Sequence, residues 1–178
     1  MKASIFSDNR LILIYSQGIY DRGVLSNFPP PSKIVQCENF EDLRSVSGDS
    51  WYNSLKVVIC NNPYDVAVDT HFMFQSTIEP KSMTLTTSFK DKRWRDLFNR
   101  EIEHMKTPYH DAINLETFQD DMRRIQDMFN FQEDVTELRR APFRPAGTED
   151  YRTLYDGRTR AIITRVTKKI IQEHEYKF

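Results

Sequence analysis

LKVVICNNPYDVAVDTHFMF, residues 55–74, is the stretch whose reading decides the fold. Leu55, Val57, Val58, Ile59 and Cys60 form a short, nearly unbroken apolar run, as expected of a strand buried on both faces. Asn61-Asn62-Pro63 ends it, because Pro63 cannot donate to a sheet ladder and drives Asn62 to an extended conformation. Pro63 also suits the first turn of a helix, where its missing N–H is not needed. Val66, Ala67, Thr70, Phe72, Met73 and Phe74 then predict a helix over 64–75. A buried strand, a polar turn and a helix make half of a β-α-β unit. The carboxyl end of such a strand is where these sheets place ligands.

Leu11-Ile12-Leu13-Ile14-Tyr15 is the second buried-strand candidate. Two unbroken apolar runs ending in polar turns predict neighbouring parallel strands in the middle of one sheet. Asn27 to Ser32 is a stiff connector of polyproline character, and 33–37 reads as a brief third strand. Asn39 caps a predicted helix over Phe40–Val46, with Asp42 in its first turn, and Ser47 to Ser50 close it. Glu79 to Ser88 reads as a polar exposed loop. Trp94, Leu97, Phe98, Ile102 and Met105 mark a helix over 90–105 that Pro108 stops. Leu115, Phe118, Met122, Ile125, Met128 and Phe129 share one face of another. RRAPFRPAGT (139–148) is a basic, proline-punctuated loop, and a last helix is expected from about Thr159 to Glu173. There Ile162, Ile163, Val166, Ile170 and Ile171 should face the core, with Tyr176 and Phe178 packed back on the domain.

A chain of 178 residues is long enough to bury a core within one domain. Its net charge of −1 supplies no global field for nucleic acid or an anionic membrane, so neither is an expected partner. Two cysteines, Cys37 and Cys60, make no disulfide framework, and a reduced compartment follows. No secretory leader is read in MKASIFSDNR, and no apolar run approaches the roughly 20 residues needed to cross a bilayer. The expected location is the cytoplasm.

Asn62-Pro63-Tyr64-Asp65 resembles the second phosphate-binding motif of the carbohydrate-type sulfotransferases, Arg-Asn-Pro-Tyr-Asp-Arg-x-x-Ser after a strand. Asn61, Val66 and Asp69 stand where that motif has its two Arg and its Ser. Leu115 to Met122 resembles the family's Phe-Glu-Asn-Leu-x-x-Asp-Phe, which opens a helix after a strand. Ile171, Tyr176 and Phe178 keep the spacing of its closing Asp-Ile-x-x-Phe-Gly-Tyr-x-Phe, with Ile170, His174 and Glu175 replacing Asp, Phe and Gly. The resemblance implies an α/β, P-loop-like three-layer fold with a central parallel sheet and a helix-rich C-terminal half, as one domain over residues 1–178. It also implies a phosphonucleotide partner: the donor 3′-phosphoadenosine 5′-phosphosulfate (PAPS) or its product adenosine 3′,5′-bisphosphate (PAP), with no metal.

In the family the first strand leads into Pro-Lys-x-x-Gly-Thr-Ser, whose backbone N–H groups and Lys cradle the 5′-phosphosulfate. Here Ser16-Gln17-Gly18 follows Leu11–Tyr15, and no Lys lies between Lys2 and Lys33. The donor-binding candidates that the resemblance implies are therefore Ser16, Gly18, Asn61, Asn62, Asp69, Arg140 and Arg144. Arg22 and the 139–144 loop carry the cations that could replace the family's, since Arg holds phosphate bidentately. Sulfuryl transfer needs a base for the acceptor hydroxyl, and His71 is the candidate. His71, His104, His110 and His174 show no metal-ligand spacing, and no Ser-His-Asp order or Gly-x-Gly-x-x-Gly is present.

Two function classes follow. In one, the fold is kept and the donor motifs are degraded, leaving a weakly active or inactive binding or structural protein with an unidentified protein partner. In the other, relocated Arg contacts keep a working PAPS-dependent sulfotransferase. The loss of three cationic contacts favours the first.

Overall fold

Ala3 and Ile5 pack on one side of a strand and Phe6 on the other, so the chain begins in β1 (Lys2–Phe6), to which the sequence reading assigns no strand. The computed structural model describes residues 1–77, 83–139, 141–148 and 150–178. β2 (Leu11–Tyr15) and a short helix α1 (Gln17–Asp21) follow, then β3 (Lys33–Gln36), α2 (Phe40–Ser47), α3 (Asp49–Asn53) and β4 (Leu55–Cys60). Next come α4 (Pro63–Ser76), α5 (Leu85–Ser88), α6 (Lys92–Ile102), β5 (Asp111–Asn114), α7 (Phe118–Phe129), α8 (Gly157–Val166) and α9 (Lys168–Glu173). The chain forms two compact units, Met1–Cys60 with Glu103–Arg139 and Asn61–Ile102 with Arg140–Phe178.

The first unit is an α/β layer structure around a five-stranded sheet of order β3-β1-β2-β4-β5. β2 and β4 are parallel neighbours at its centre, as expected, with Leu13 opposite Val57 and Ile14 opposite Val58. β5 continues the parallel half, placing Ile113 opposite Ile59. β1 runs antiparallel to both β2 and β3, so the sheet is mixed and not the parallel one expected. The cause is the connection between β1 and β2. Only four residues separate them, closed by the Arg10 N–H donating to the Ser7 carbonyl at 3.2 Å, and so short a link can only reverse the chain.

The continuous apolar run of β2 reflects burial on both faces. Leu11, Leu13 and Tyr15 join Val57, Ile59 and Ile113 under Phe118, Met122 and Ile125 of α7. Ile12 and Ile14 join Ala3, Ile5 and Val35 against Leu43 of α2 and Trp51 of α3. Asn39 caps α2 by accepting the Asp42 N–H at 3.0 Å. The expected closing turn after it is only Gly48, at φ 52°, before α3 begins. On α7, Met128 is 51% exposed and departs from the predicted apolar face, which Phe118, Met122 and Ile125 carry alone in full burial.

The second unit is helical. Trp94, Phe98 and Ile102 make the buried stripe of α6 as predicted, and α6 packs against α4. Residues 85–88, expected in an exposed loop, form α5 with Leu85 and Ser88 buried; residues 78–82 lie outside the described residues. The expected last helix is broken at Thr167. That side chain is buried, and its N–H at 2.9 Å and its hydroxyl at 2.7 Å both donate to the Ile163 carbonyl, a shared acceptor of the kind found where helices bend. Ile163 and Ile170 are buried, whereas Val166 is 54% exposed, against expectation, because it lines an open cavity with Phe89 and Ile162. Among the described residues no helix is long and apolar enough to cross a membrane.

Candidate functional site

Asn62, the residue before Pro63, is extended (φ −54°, ψ 122°) and caps α4, accepting the Tyr64 N–H at 3.2 Å. Its amide Nδ2 donates to the Tyr151 hydroxyl and to the Lys177 carbonyl, both at 3.0 Å. A residue that starts a helix thus also anchors the C-terminal tail, and at 1% exposure its side chain meets partners of this chain. Around it stand four rings. Tyr64 lies parallel to Tyr151 at 6.4 Å, and Phe178 presents an edge to Tyr64 at 4.9 Å and to Tyr155 at 5.3 Å. The Tyr155 hydroxyl donates to the Tyr64 carbonyl at 2.8 Å, and burial, with Asp65 beside it, pushes its pKa far above the usual range. The Asn-Pro-Tyr-Asp block, the 151–155 turn and the terminal Tyr-x-Phe, far apart in sequence, meet here in one unit.

One turn along α4, Asp65 and Asp69 face the 141–148 loop. The Arg144 guanidinium pairs with Asp65 and, at 3.2 Å, with Asp69, while its Nε donates to the Thr148 carbonyl at 2.8 Å. Asn61 completes the group by donating to Asp65 at 3.2 Å. The Arg144 side chain is 7% exposed. Burial opposes its charge, but the two carboxylates outweigh burial and hold its pKa above the ordinary value. Asp69 therefore meets a guanidinium rather than an open phosphate pocket. Arg140 lies outside the described residues.

His71 sits on α4 with its Nδ1 2.8 Å from the hydroxyl of Ser88, and both residues are buried. Burial lowers its pKa to about 4, so it is a neutral ring enclosed by protein. Nothing in the sequence marks Ser88 as its partner, since the two are 17 residues apart in an unremarkable hydroxyl-rich stretch.

Ser16, Gly18 and Arg22 belong to the first unit. Ser16 is buried and accepts the Ile19 N–H at 3.3 Å, so it caps α1, a helix of five residues that contains Gly18. Arg22 donates through Nε to the Arg139 carbonyl at 3.1 Å, and the Arg139 N–H returns a bond to the Arg22 carbonyl at 2.9 Å. This pair fastens the start of the basic loop. The structure thus gathers Asn61, Asn62, Asp69 and Arg144 at the N-terminal half of α4, places His71 with Ser88, and puts Ser16, Gly18 and Arg22 around α1.

Sequence reasoning missed Asp65 as the main partner of Arg144. The only signal was its retention within the Asn-Pro-Tyr-Asp block, which reads as ligand chemistry rather than as an internal ion pair. Among the described residues no group of three or more His, Cys, Asp or Glu is placed to hold a metal ion. Comparison with known proteins finds no family model that matches the chain and no curated protein that matches it.

Proposed function

We propose that this chain is a sulfotransferase-like protein, of P-loop type, whose donor-phosphate turn has become internal scaffold. It acts as a binding or structural protein and not as an efficient transferase. The observation that carries this reading is the engagement of Arg144 by Asp65, Asp69 and the Thr148 carbonyl. Arg144 is the one described cation of the basic loop that reaches α4 through an ion pair, and a donor phosphate would have to compete with two carboxylates for it. Val66, where the family has Arg, is 8% exposed, and a guanidinium there would have to be buried. The replacement is thus built into the packing. The enclosure of His71 adds support, since a general base must come within hydrogen-bond reach of the acceptor.

The test is calorimetric titration with adenosine 3′,5′-bisphosphate, paired with an assay of sulfuryl transfer from PAPS. Three charged hydrogen bonds, each about 1.5–3 kcal/mol, correspond to a loss of several powers of ten in affinity. Binding should therefore be weaker than about 1 mM. Asp69→Ser, which withdraws one carboxylate from Arg144, should strengthen it. Micromolar binding by the unmodified protein, with sulfuryl transfer lost in Arg22→Ala or Arg144→Lys, would overturn the reading and leave an enzyme with relocated cations.

A further inference from the structure

A cavity of about 190 Å³ opens within the second unit where α6 and α8 pass each other. Its walls are apolar: the rings of Phe89, Trp94 and Phe98, with Ile162 and Val166 of α8. The three rings are packed as a block, Trp94 lying 4.2 Å from Phe89 and 5.1 Å from Phe98 by ring centres. The rim is different. Lys90, Arg95 and Arg158 line the cavity, and none of the three is paired with a carboxylate among the described residues. The nearby acids are occupied elsewhere. Asp91 is held by Arg93 at 2.7 Å and only feels the field of Arg95, while Asp156 accepts from Thr86 and from the Thr159 N–H that it caps. Arg95 is held in place, since one guanidinium nitrogen donates to the carbonyls of Phe89 and Lys90, both at 3.0 Å. Trp94 is 1% exposed, and among the described residues its buried indole N–H has no acceptor.

An apolar, ring-lined slot with three cations at its mouth fits a ligand with a flat apolar body and one anionic head. The size sets the body. A cavity of roughly 150 Å³ holds benzene, so this one accommodates a six-membered ring with a short arm. We propose that this cavity is a binding site for a small aromatic carboxylate, its ring against Phe89, Ile162 and Val166 over the buried Trp94–Phe98 floor and its carboxylate among Lys90, Arg95 and Arg158. The site is distinct from the Asn62 and Arg144 cluster, and its occupancy does not depend on the sulfotransferase-like reading.

The experiment is isothermal calorimetry of the whole chain with 3-phenylpropanoate, with 3-phenylpropan-1-ol as the neutral isostere and acetate as the head alone. For a ligand this small, a Kd on the order of 0.1–1 mM is expected, with the alcohol and acetate each at least about tenfold weaker. Arg158→Gln with Lys90→Gln, both exposed and on the rim, should weaken 3-phenylpropanoate by about tenfold or more. Val166→Glu, which sets a carboxylate at the mouth, should abolish binding. Arg123→Gln, on α7 in the other unit, should leave it unchanged. The thermal midpoint of each variant is read alongside to show that it is folded. An alcohol that binds as tightly as the acid, rim variants without effect, or no heat at about 10 mM would each overturn the proposal.

Discussion

His71 and Arg144 show how a residue type can be read correctly and its task missed. A lone histidine six residues beyond Asp65 on a central apolar helix reads more readily as a packed ring than as a base, and what decides between the two is an enclosure that only tertiary structure supplies. Burial with Ser88 lowers its pKa from the ordinary 6.5 to about 4. As pH falls from about 6.5 to about 4, the unfolded chain takes a proton that the folded chain refuses. Stability from this residue is therefore complete above that window and is lost on descending through it, by roughly 3 kcal/mol. His71→Gln should flatten the dependence of the melting midpoint on pH between about 4 and 6.5. An identical slope in variant and parent would show that the ring is not the titrating group. Arg144 was legible as a cation near the candidate site, because a basic loop announces itself in composition. Its ion pairs were not, because the partners lie 75 and 79 residues away, and no local pattern records such a distance.

At the scale of elements, the strands were the most legible part. β2 carries five apolar residues in a row and β4 four after Lys56, and only a strand covered on both faces tolerates such runs. β1 was not legible, since three of its five residues, Lys2, Ala3 and Ser4, are small or polar, and its stability comes from pairing on both sides with β2 and β3. The break between α8 and α9 was hidden for a similar reason: a threonine in an isoleucine-rich run reads as helix until its hydroxyl is seen to bond backward. The α4 start was read correctly from Asn62-Pro63, but the anchoring of the tail through the same amide was not. Asn62→Asp separates the two roles. It keeps an oxygen to cap α4 and replaces the Nδ2 donor with a second acceptor facing the Lys177 carbonyl. We expect a loss of about 2 kcal/mol in denaturant unfolding even though the cap survives. A stability change below about 0.5 kcal/mol would mean that capping is the whole of its contribution.

For the whole molecule, composition described a folded globular chain and the strand–turn–helix pattern an α/β one, but neither held a trace of how its two units share the sequence. The chain leaves the first unit after Cys60, returns at Glu103, and leaves again after Arg139. Neither unit is a continuous segment. A chain ending before Asp111 keeps β1 to β4 but lacks β5 and α7, and with them the cover over Leu13, Val57 and Ile59. Such a fragment is expected to elute as large aggregates in size-exclusion chromatography, and a monomeric fragment with a cooperative melt would refute this. The same arrangement bears on the birth of the protein. β4, whose outer edge is paired only by β5, emerges roughly fifty residues ahead of it, and translation at 5–20 residues per second leaves that edge bare for about 3–10 s. For those seconds Val57, Val58 and Ile59 form an open template on the ribosome, so the nascent chain has a period of vulnerability to mispairing that the finished protein lacks.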